Sequence, residues 1–266
     1  MESFEKQTET ISSWEDAQEK LFKGAWQPSL NRYRPSHAFR GLPKAYNSLP
    51  TSLIRLGHKN TDGTFDARHG EKVESDLLRN FIKYAEDRSL SEKSIWHQLS
   101  VAQHYGLPTR ILDWTYSPLV GLHFATADMD KLDEDGLIWR VDIDKAHSLL
   151  ADNWTENKSG HVFTIDELTE VASDFNELKA RFEEAESDGP LFFEPPSLDG
   201  RIVNQFALFS VLPDPKQRFD QWLIGHKDIY KRYRIPARVK MEIRDKLDAS
   251  NITERVLFPG LDGLAD

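Results

Sequence analysis

The chain has 266 residues, of which 39% are hydrophobic, 11% aromatic and 29% charged, a composition that predicts a folded protein with a sizeable core and not a disordered chain. It contains no cysteine, which excludes disulfide scaffolds, thiol nucleophiles and cysteine-ligated metal, haem or iron–sulfur sites. Its formal net charge of −10 at pH 7 argues against wholesale binding to nucleic acid or anionic membranes, because that binding depends on Lys and Arg side chains that neutralise phosphates.

The N-terminal residues are polar and acidic, and the chain has no run of about 18 uncharged apolar residues. We therefore predict a cytoplasmic protein that has no membrane partner. No linker is long enough to force two domains. We predict a helical extension at residues 1–25 and one domain at residues 26–266.

Three helices are predicted in the first part of the chain. Ser12 and Glu15 fit a capping box, so a short helix begins there. Apolar residues at three- and four-residue steps predict a second helix over residues 71–87. A third begins near Ile95 and ends before Gly106.

A strand, a tight turn and a helix are predicted next. The segment TRILDW (109–114) is typical of a buried strand. Ser117 and Pro118 then supply an N-cap and a first helical residue. GLIWRVDI (136–143) has the β-branched and aromatic content of a further strand.

The C-terminal half mixes helices and strands. Thr164 and Glu167 cap a helix that continues through NELKARFEEAE (176–186). Strands are predicted at RIVNQFALFSVL (201–212) and at YRIPA (233–237), and an amphipathic helix follows. Because there is no regular βα alternation, we predict an α+β fold with mixed, mostly antiparallel sheets flanked by helices.

Common catalytic signatures are absent from the sequence. There is no Gly-rich phosphate loop ending in Lys-Ser/Thr, no GxGxxG, no GxSxG and no HExxH, so NTPase, Rossmann, hydrolase and zincin functions lose support. His97 and His104 are seven residues apart, which is not a standard ligand spacing. We predict no metal site.

Arg40 is a polar residue within an apolar frame, since it follows Ala38 and Phe39 and precedes Gly41 in AFRGLPKAYNSLPTSLIR. A guanidinium at the end of a buried strand needs an anion or several carbonyl groups, because an unpaired buried charge is costly. The sequence allows two partners for the Arg40 guanidinium. One is an internal carboxylate, and the other is a ligand phosphate held through two hydrogen bonds.

A second polar cluster lies in QLSVAQHYGLPTRILDWTYSPLVGLHFATA, and its density within apolar neighbours is typical of a pocket wall. The structural alternative is a helix cap at Ser117 with an Arg110–Asp113 ion pair. That alternative leaves the other polar residues unexplained. The cluster consists of Gln103, His104, Thr109, Arg110, Asp113, Thr115 and Ser117.

These segments resemble a known family. In chain order, AFRGLPKAYNSLPTSLIR, AQHYGLPTRILDWTYSPLVGLHFA, GRIVNQFALFSV and ERVLFPGLDGLAD resemble the signature segments of the FRG domain family, which is named for its Phe-Arg-Gly triplet. The resemblance spans roughly residues 20–266. It implies a family but not a reaction.

A resemblance to the ADP-ribosyltransferase layout implies a reaction. In that superfamily an arginine at the end of an early strand binds the phosphate or ribose of NAD, a Ser/Thr motif braces the nicotinamide pocket, and a later glutamate stabilises the transition state. By position, Arg40 matches the first element, Thr115 and Ser117 the second, and Gln205 the third. The resemblance implies an ADP-ribosyltransferase-like core that uses NAD as a substrate and needs no metal.

Gln205 departs from the superfamily pattern, because an amide cannot act as a general base. Asp113, Glu194 or Asp199 would have to replace the glutamate, or the acceptor would need no base. His104 is expected to bind ribose or act as a base.

The resemblance and the residue chemistry together give two sets of candidate site residues. The predicted catalytic residues are Arg40, His104, Thr115, Ser117 and Gln205. The predicted nucleotide-binding residues are Arg40, Gly41, Gln103, Tyr105, Thr109, Arg110, Asp113, Trp114 and Phe124.

Three charged features have alternative interpretations. Glu74 forms an ion pair with Arg40 or Arg110, or else faces solvent. Arg201 pairs with an acidic loop, or else adds to the phosphate clamp. Residues 226–246 hold eight Lys or Arg against three Asp or Glu, so a nucleic-acid partner is expected only there.

Three functions therefore stay open. The first is a metal-independent ADP-ribosyltransferase or NAD glycohydrolase whose acceptor the sequence does not specify. The second is a non-catalytic module that binds a nucleotide or a partner's phosphate or carboxylate. The third is a polar network that only stabilises the fold. An NAD-consuming cytoplasmic protein would suit a defence or toxin system.

Overall fold

The computed structural model describes residues 2–33, 36–46, 48–59, 65–66, 70–86, 88–150, 162–187 and 189–260. Their fold is α+β, as predicted, with a mostly antiparallel sheet flanked by helices. None of the helices in this part of the chain combines the length and the hydropathy that a membrane span requires.

Seven strands form the main sheet, in the order β1-β11-β8-β4-β7-β10-β9. Neighbouring strands pair antiparallel, except that β1 pairs parallel with β11. The sheet strands are β1 Thr8–Thr10, β4 His37–Leu42, β7 Leu112–Thr115, β8 Gly136–Asp142, β9 Leu191–Phe193, β10 Ala207–Val211 and β11 Tyr230–Ile235. Two small hairpins are formed by β2 Trp26–Gln27 with β3 Arg32–Tyr33, and by β5 His58–Lys59 with β6 Phe65–Asp66.

Helices lie on both faces of the sheet. The α-helices are α1 Glu2–Glu5, α2 Trp14–Phe22, α3 Ser52–Arg55, α4 Gly70–Tyr84, α5 Ile95–His104, α6 Pro118–Thr126, α7 Ile143–His147, α8 Ile165–Val171, α9 Phe175–Glu184, α10 Gly200–Asn204, α11 Phe219–Gly225, α12 Ala237–Ala249 and α13 Glu254–Leu257. Short 3₁₀ helices occur at Arg88–Glu92 and Met129–Lys131.

The sheet separates two apolar cores, because successive residues of a strand point to opposite faces. Ala38 and Trp139 belong to the core on one face, whereas Phe39 and Ile138 belong to the core on the other. A third cluster, which includes Trp96, Leu99 and Phe209, joins α4, α5, α8 and α9 to the β9 end of the sheet.

Local capping chemistry sets several helix ends where the sequence predicts them. The Ser117 hydroxyl accepts the backbone N–H of Val120 at 3.3 Å, with Pro118 as the first helical residue. Thr164 and Glu167 form the predicted capping box.

Two helix predictions are wrong in detail. The N-cap of α2 is Ser13 and not Ser12, whose own N–H and hydroxyl donate to the Asp16 carboxylate. The helix predicted to continue from Thr164 is interrupted after Val171, because the Asp174 carboxylate accepts two backbone N–H groups and caps α9 instead.

The strand predicted at residues 201–212 is also shorter than expected. The Asp199 carboxylate caps α10, so residues 200–204 are helical and the strand begins only at Ala207. Phe206 makes the transition in a left-handed conformation with φ 48°. Gln205 therefore lies at the C-terminus of a helix and not on a strand.

Gly41 allows α6 to lie directly on β4. A Cβ atom at Gly41 would overlap the carbonyl oxygen of Gly121 and would lie 2.7 Å from the backbone nitrogen of Ala125. These obstacles are backbone atoms of one helix, so they cannot move aside as a flexible side chain does. The packing therefore requires a glycine at this position.

Gly41→Ala is expected to lower the free energy of unfolding by about 3 kcal/mol or more, because the new methyl group forces β4 and α6 apart. The measurement is chemical denaturation beside Gly225→Ala, where a Cβ has no atom within 4 Å. Equal stability of the two variants would contradict this account of the packing.

Candidate functional site

A cavity of about 270 Å³ opens where β4, β7 and β10 approach α5, α6 and α10. Most of the residues predicted for the site line this cavity. They are Arg40, Gly41, Gln103, His104, Asp113, Trp114, Thr115, Phe124 and Gln205. Arg201, which the sequence allowed as an alternative member of the phosphate clamp, also lines the cavity. The lining residues that the sequence analysis did not place in the site are Phe39, Ile202, Ala207 and Phe209.

A chain of hydrogen bonds orients Asp113 within the cavity. The Thr109 hydroxyl donates to the side-chain oxygen of Gln103, and the Gln103 amide donates to Asp113 Oδ2 at 2.9 Å. The same oxygen, Asp113 Oδ2, lies 3.9 Å from Arg40 Nη1. Thr109 thus acts indirectly, because it is buried behind Gln103.

Arg40 is only partly satisfied by the protein. Its Nη1 donates to the backbone oxygen of Asp113, while its buried Nε has no hydrogen-bond partner among the described residues. Burial lowers the pKa of Arg40 below its ordinary value; the charge of Asp113 opposes this effect and that of Arg55 adds to it. The guanidinium is therefore a cation that an anionic ligand would stabilise.

His104 is held by the carboxylate of Asp199, which lies much later in the chain. Its Nε2 lies 3.0 Å from Asp199 Oδ2, while Asp199 Oδ1 accepts the backbone N–H of Arg201 at 2.8 Å. The His104 side chain is only 11% exposed. The Asp199 carboxylate also caps α10, so its position is fixed. An imidazole that such a carboxylate orients has the arrangement of a general base.

Thr115 and Gln205 fasten the two walls of the cavity together. The Thr115 hydroxyl donates to the backbone oxygen of Gln205 at 2.6 Å and accepts the backbone N–H of Ser117 at 3.0 Å. The Gln205 amide donates to the backbone oxygen of Leu257 at 3.0 Å. These side chains are engaged in the fold, and Ser117 caps α6 without lining the cavity.

Tyr105 lies outside the cavity lining. Its side chain is 73% exposed, and its ring contacts that of His104 at a centroid distance of 5.2 Å.

Arg110 also lies outside the cavity, paired with Glu74. Its Nε donates to Glu74 Oε2 at 2.6 Å, and both side chains are at least 99% buried. Of the alternatives that the sequence left open for Glu74, the structure thus shows the pair with Arg110, and not a pair with Arg40 or exposure to solvent. The alternative Arg110–Asp113 pair is wrong, because Asp113 is bound by Arg40 and Gln103 instead.

Glu74→Gln is expected to lower the free energy of unfolding by about 3–5 kcal/mol, because it leaves the Arg110 charge buried without a counter-charge. Adding Arg110→Met should recover part of the loss. The glutamine still offers an acceptor to the backbone N–H at position 110, which Glu74 binds at 2.7 Å. Denaturation curves of the single and double variants test this, and a double variant less stable than the single one would contradict it.

A larger, more open cleft of about 710 Å³ lies between α4, α5 and α9. Arg110 lines it, and Glu74 neutralises the Arg110 charge, although Arg110 Nη1 and Nη2 have no hydrogen-bond partner among the described residues. Size alone would favour this cleft. We favour the smaller cavity, because a carboxylate, an imidazole and two arginines converge there, whereas no histidine is among the described residues that line the larger cleft.

The basic run at residues 226–246 offers fewer surface cations than its sequence indicates. Arg232 and Lys240 are buried, and Lys231 pairs with Glu9 at 2.7 Å. A nucleic-acid partner for this run stays a prediction. Within the described ranges, no three His, Asp or Glu side chains are grouped so that they could hold a metal ion.

The family comparison concerns the segment that builds most of this cavity. Residues 35–134 match the FRG domain family. The chain contains an FRG domain. The Phe39-Arg40-Gly41 triplet and the lining residues from Gln103 to Phe124 fall within the matched segment of this domain, whereas the wall from Arg201 to Phe209 falls outside it. No curated protein and no solved structure matches the chain.

Proposed function

We propose that the cavity of the FRG domain protein binds NAD and that the protein cleaves the bond between nicotinamide and ribose, transferring ADP-ribose to water or to another acceptor. The observation that carries the proposal is the convergence of Arg40, Asp113 and His104 in one cavity. The resemblance of the Arg40, Thr115 and Ser117 pattern to ADP-ribosyltransferases supports the same reaction.

The cavity fits one end of a dinucleotide. Its volume of about 270 Å³ is near the lower limit of small-molecule sites, roughly 300 Å³. Trp114, Phe124 and Phe209 give it apolar aromatic walls that suit a flat ring. The nicotinamide and its ribose therefore occupy the interior of the cavity, the diphosphate lies against the arginines that line it, and the adenosine extends outside.

The reaction requires an anion beside the ribose. Nicotinamide leaves with the electron pair of the glycosidic bond, and positive charge develops on the ribose before an acceptor oxygen forms the new bond to the anomeric carbon. Asp113 is the carboxylate that lines the cavity, so it supplies the negative charge that the amide of Gln205 cannot supply. The acceptor oxygen loses one proton, and His104 receives it.

The other two carboxylates considered for this part are engaged elsewhere. Asp199 binds His104 and caps α10. Glu194 accepts a long hydrogen bond of 3.4 Å from the Tyr116 hydroxyl. Neither residue lines the cavity.

A non-catalytic nucleotide-binding module is the second candidate. It is favoured by one specific observation, the engagement of the Thr115 hydroxyl and the Gln205 amide in structural hydrogen bonds. In that case Arg40 binds a phosphate and no bond is cleaved. Turnover separates the two candidates.

The test is to incubate the protein with NAD and to measure both its melting temperature and the release of nicotinamide. We expect a higher melting temperature and measurable release in the unaltered protein. Asp113→Asn should lower the release roughly 100-fold, because it removes the charge that stabilises the transition state, and should retain the thermal shift, because Arg40 remains.

Glu9→Gln is the matched control. Its side chain is 42% exposed and pairs with a cation, as the 53% exposed Asp113 does, but Glu9 lies on the edge strand β1. A thermal shift without nicotinamide release would favour the binding module. Neither signal in the unaltered protein would reject NAD as the ligand.

A further inference from the structure

Arg201 is a second cation on the cavity wall. It lies on α10, whereas Arg40 lies on β4, and both line the same cavity. Among the described residues, the Arg201 side chain has no hydrogen bond or ion pair. Its guanidinium carbon instead lies 4.9 Å from the centre of the Phe258 ring.

Stacking restricts Arg201 without using its hydrogen-bond donors. A guanidinium over an aromatic face keeps its N–H groups free at the edge of the plane. The contact also lowers the number of rotamers that binding must restrict, so less conformational entropy is lost when a ligand binds. Arg201 is exposed to solvent, but its contact with Phe258 gives it a restricted orientation that an exposed arginine without an aromatic partner lacks.

Residues 254–259, which we call the C-terminal clasp, include Phe258 and are hydrogen-bonded to residues at the end of α10. The backbone oxygens of Val256 and Leu257 accept hydrogen bonds from Asn204 and Gln205 at 2.6 and 3.0 Å. The Phe258 ring meets the cavity-lining ring of Phe124 edge-on, at a centroid distance of 6.2 Å.

The clasp is also anchored to a buried histidine. Glu254 Oε2 lies 2.6 Å from Nε2 of His123, a residue of α6 that is fully buried. Burial opposes ionisation of this carboxylate, but the hydrogen bond from His123 and the charges of His123 and Arg244 hold the pKa of Glu254 below its ordinary value. The clasp thus connects α6, α10 and the cavity wall.

More cationic than anionic side chains line the cavity. The charged residues that line it are Arg40, Arg201 and Asp113, with His104 beside them. Asp113 is already bound by Gln103 and lies near Arg40, so Arg201 is left without a counter-charge. A ligand with two linked anionic groups matches this arrangement better than a ligand with one.

We propose that Arg201 is the second anion-binding group of the cavity, that the clasp positions it, and that the ligand carries a diphosphate. NAD as the source of that diphosphate rests on the proposed function, whereas the preference for a diphosphate does not. A phosphate-free ligand such as nicotinamide riboside makes no use of Arg201.

The test measures binding of inorganic pyrophosphate and inorganic phosphate by calorimetry. The unaltered protein should bind pyrophosphate more tightly than phosphate. Arg201→Ala should weaken pyrophosphate binding about tenfold or more, because it removes charge-assisted hydrogen bonds. Arg79→Ala is the control; this 73% exposed arginine lines the larger cleft, and the variant should bind like the unaltered protein.

Two substitutions at Phe258 test the clasp. Phe258→Ala should weaken pyrophosphate binding about threefold by releasing Arg201, whereas Phe258→Tyr should bind pyrophosphate like the unaltered protein because the aromatic face remains. Melting temperatures show whether each variant is folded. If Phe258→Ala does not fold, Phe258→Leu takes its place, since it keeps the apolar bulk and removes the aromatic face.

The outcomes separate this inference from the proposed function. Pyrophosphate binding that Arg201→Ala weakens supports the diphosphate site, even if no nicotinamide is released from NAD. Unchanged pyrophosphate binding by Arg201→Ala overturns it, even if NAD is cleaved. Equal affinity of the unaltered protein for phosphate and pyrophosphate also overturns it.

Discussion

The contact between the backbones of β4 and α6 positions the rest of the site. It exists because Gly41 and Gly121 have no side chains where strand and helix cross. The three residues of the triplet then have three different tasks: Phe39 packs in the core with 1% exposure, Arg40 extends into the cavity, and Gly41 admits the helix. Phe39 also pairs with Thr115 of β7, the strand that carries Asp113, so the cation on β4 lies beside one wall of the cavity.

The second wall comes from a distant part of the chain and depends on hydrogen bonds more than on apolar packing. Thr115 binds the backbone of Gln205, Gln205 binds the clasp, and Asp199 both caps α10 and holds His104. Thr115 and Gln205, which the resemblance to ADP-ribosyltransferases would place in catalysis, thus form hydrogen bonds that hold the walls of the cavity together. The two functions that we propose, cleavage of NAD and binding alone, differ in whether Asp113 and His104 act on the ligand that this framework holds.

Local chemistry explains which features were predictable from the sequence. The α+β class, the cap at Ser117 and the capping box at Thr164 depend on residues close together in the chain, and they were predicted correctly. The Glu74–Arg110 pair was predicted only as one of several alternatives, because the apolar stripe of α4 indicates a buried face without Glu74. In the structure Glu74 is buried, whereas Val73 and Tyr84 of that stripe are exposed.

The position of Gln205 could not be predicted, and the sequence left open whether Arg201 pairs with an acidic loop or adds to the phosphate clamp. The first depends on an Asp199 cap and a left-handed Phe206 that override strand propensity. The second depends on Phe258, which is far along the chain. The most direct measurement is a crystal structure with bound ADP-ribose. Our account predicts the diphosphate between Arg40 and Arg201 in the smaller cavity; ADP-ribose bound in the larger cleft beside Arg110, with the smaller cavity empty, would contradict it.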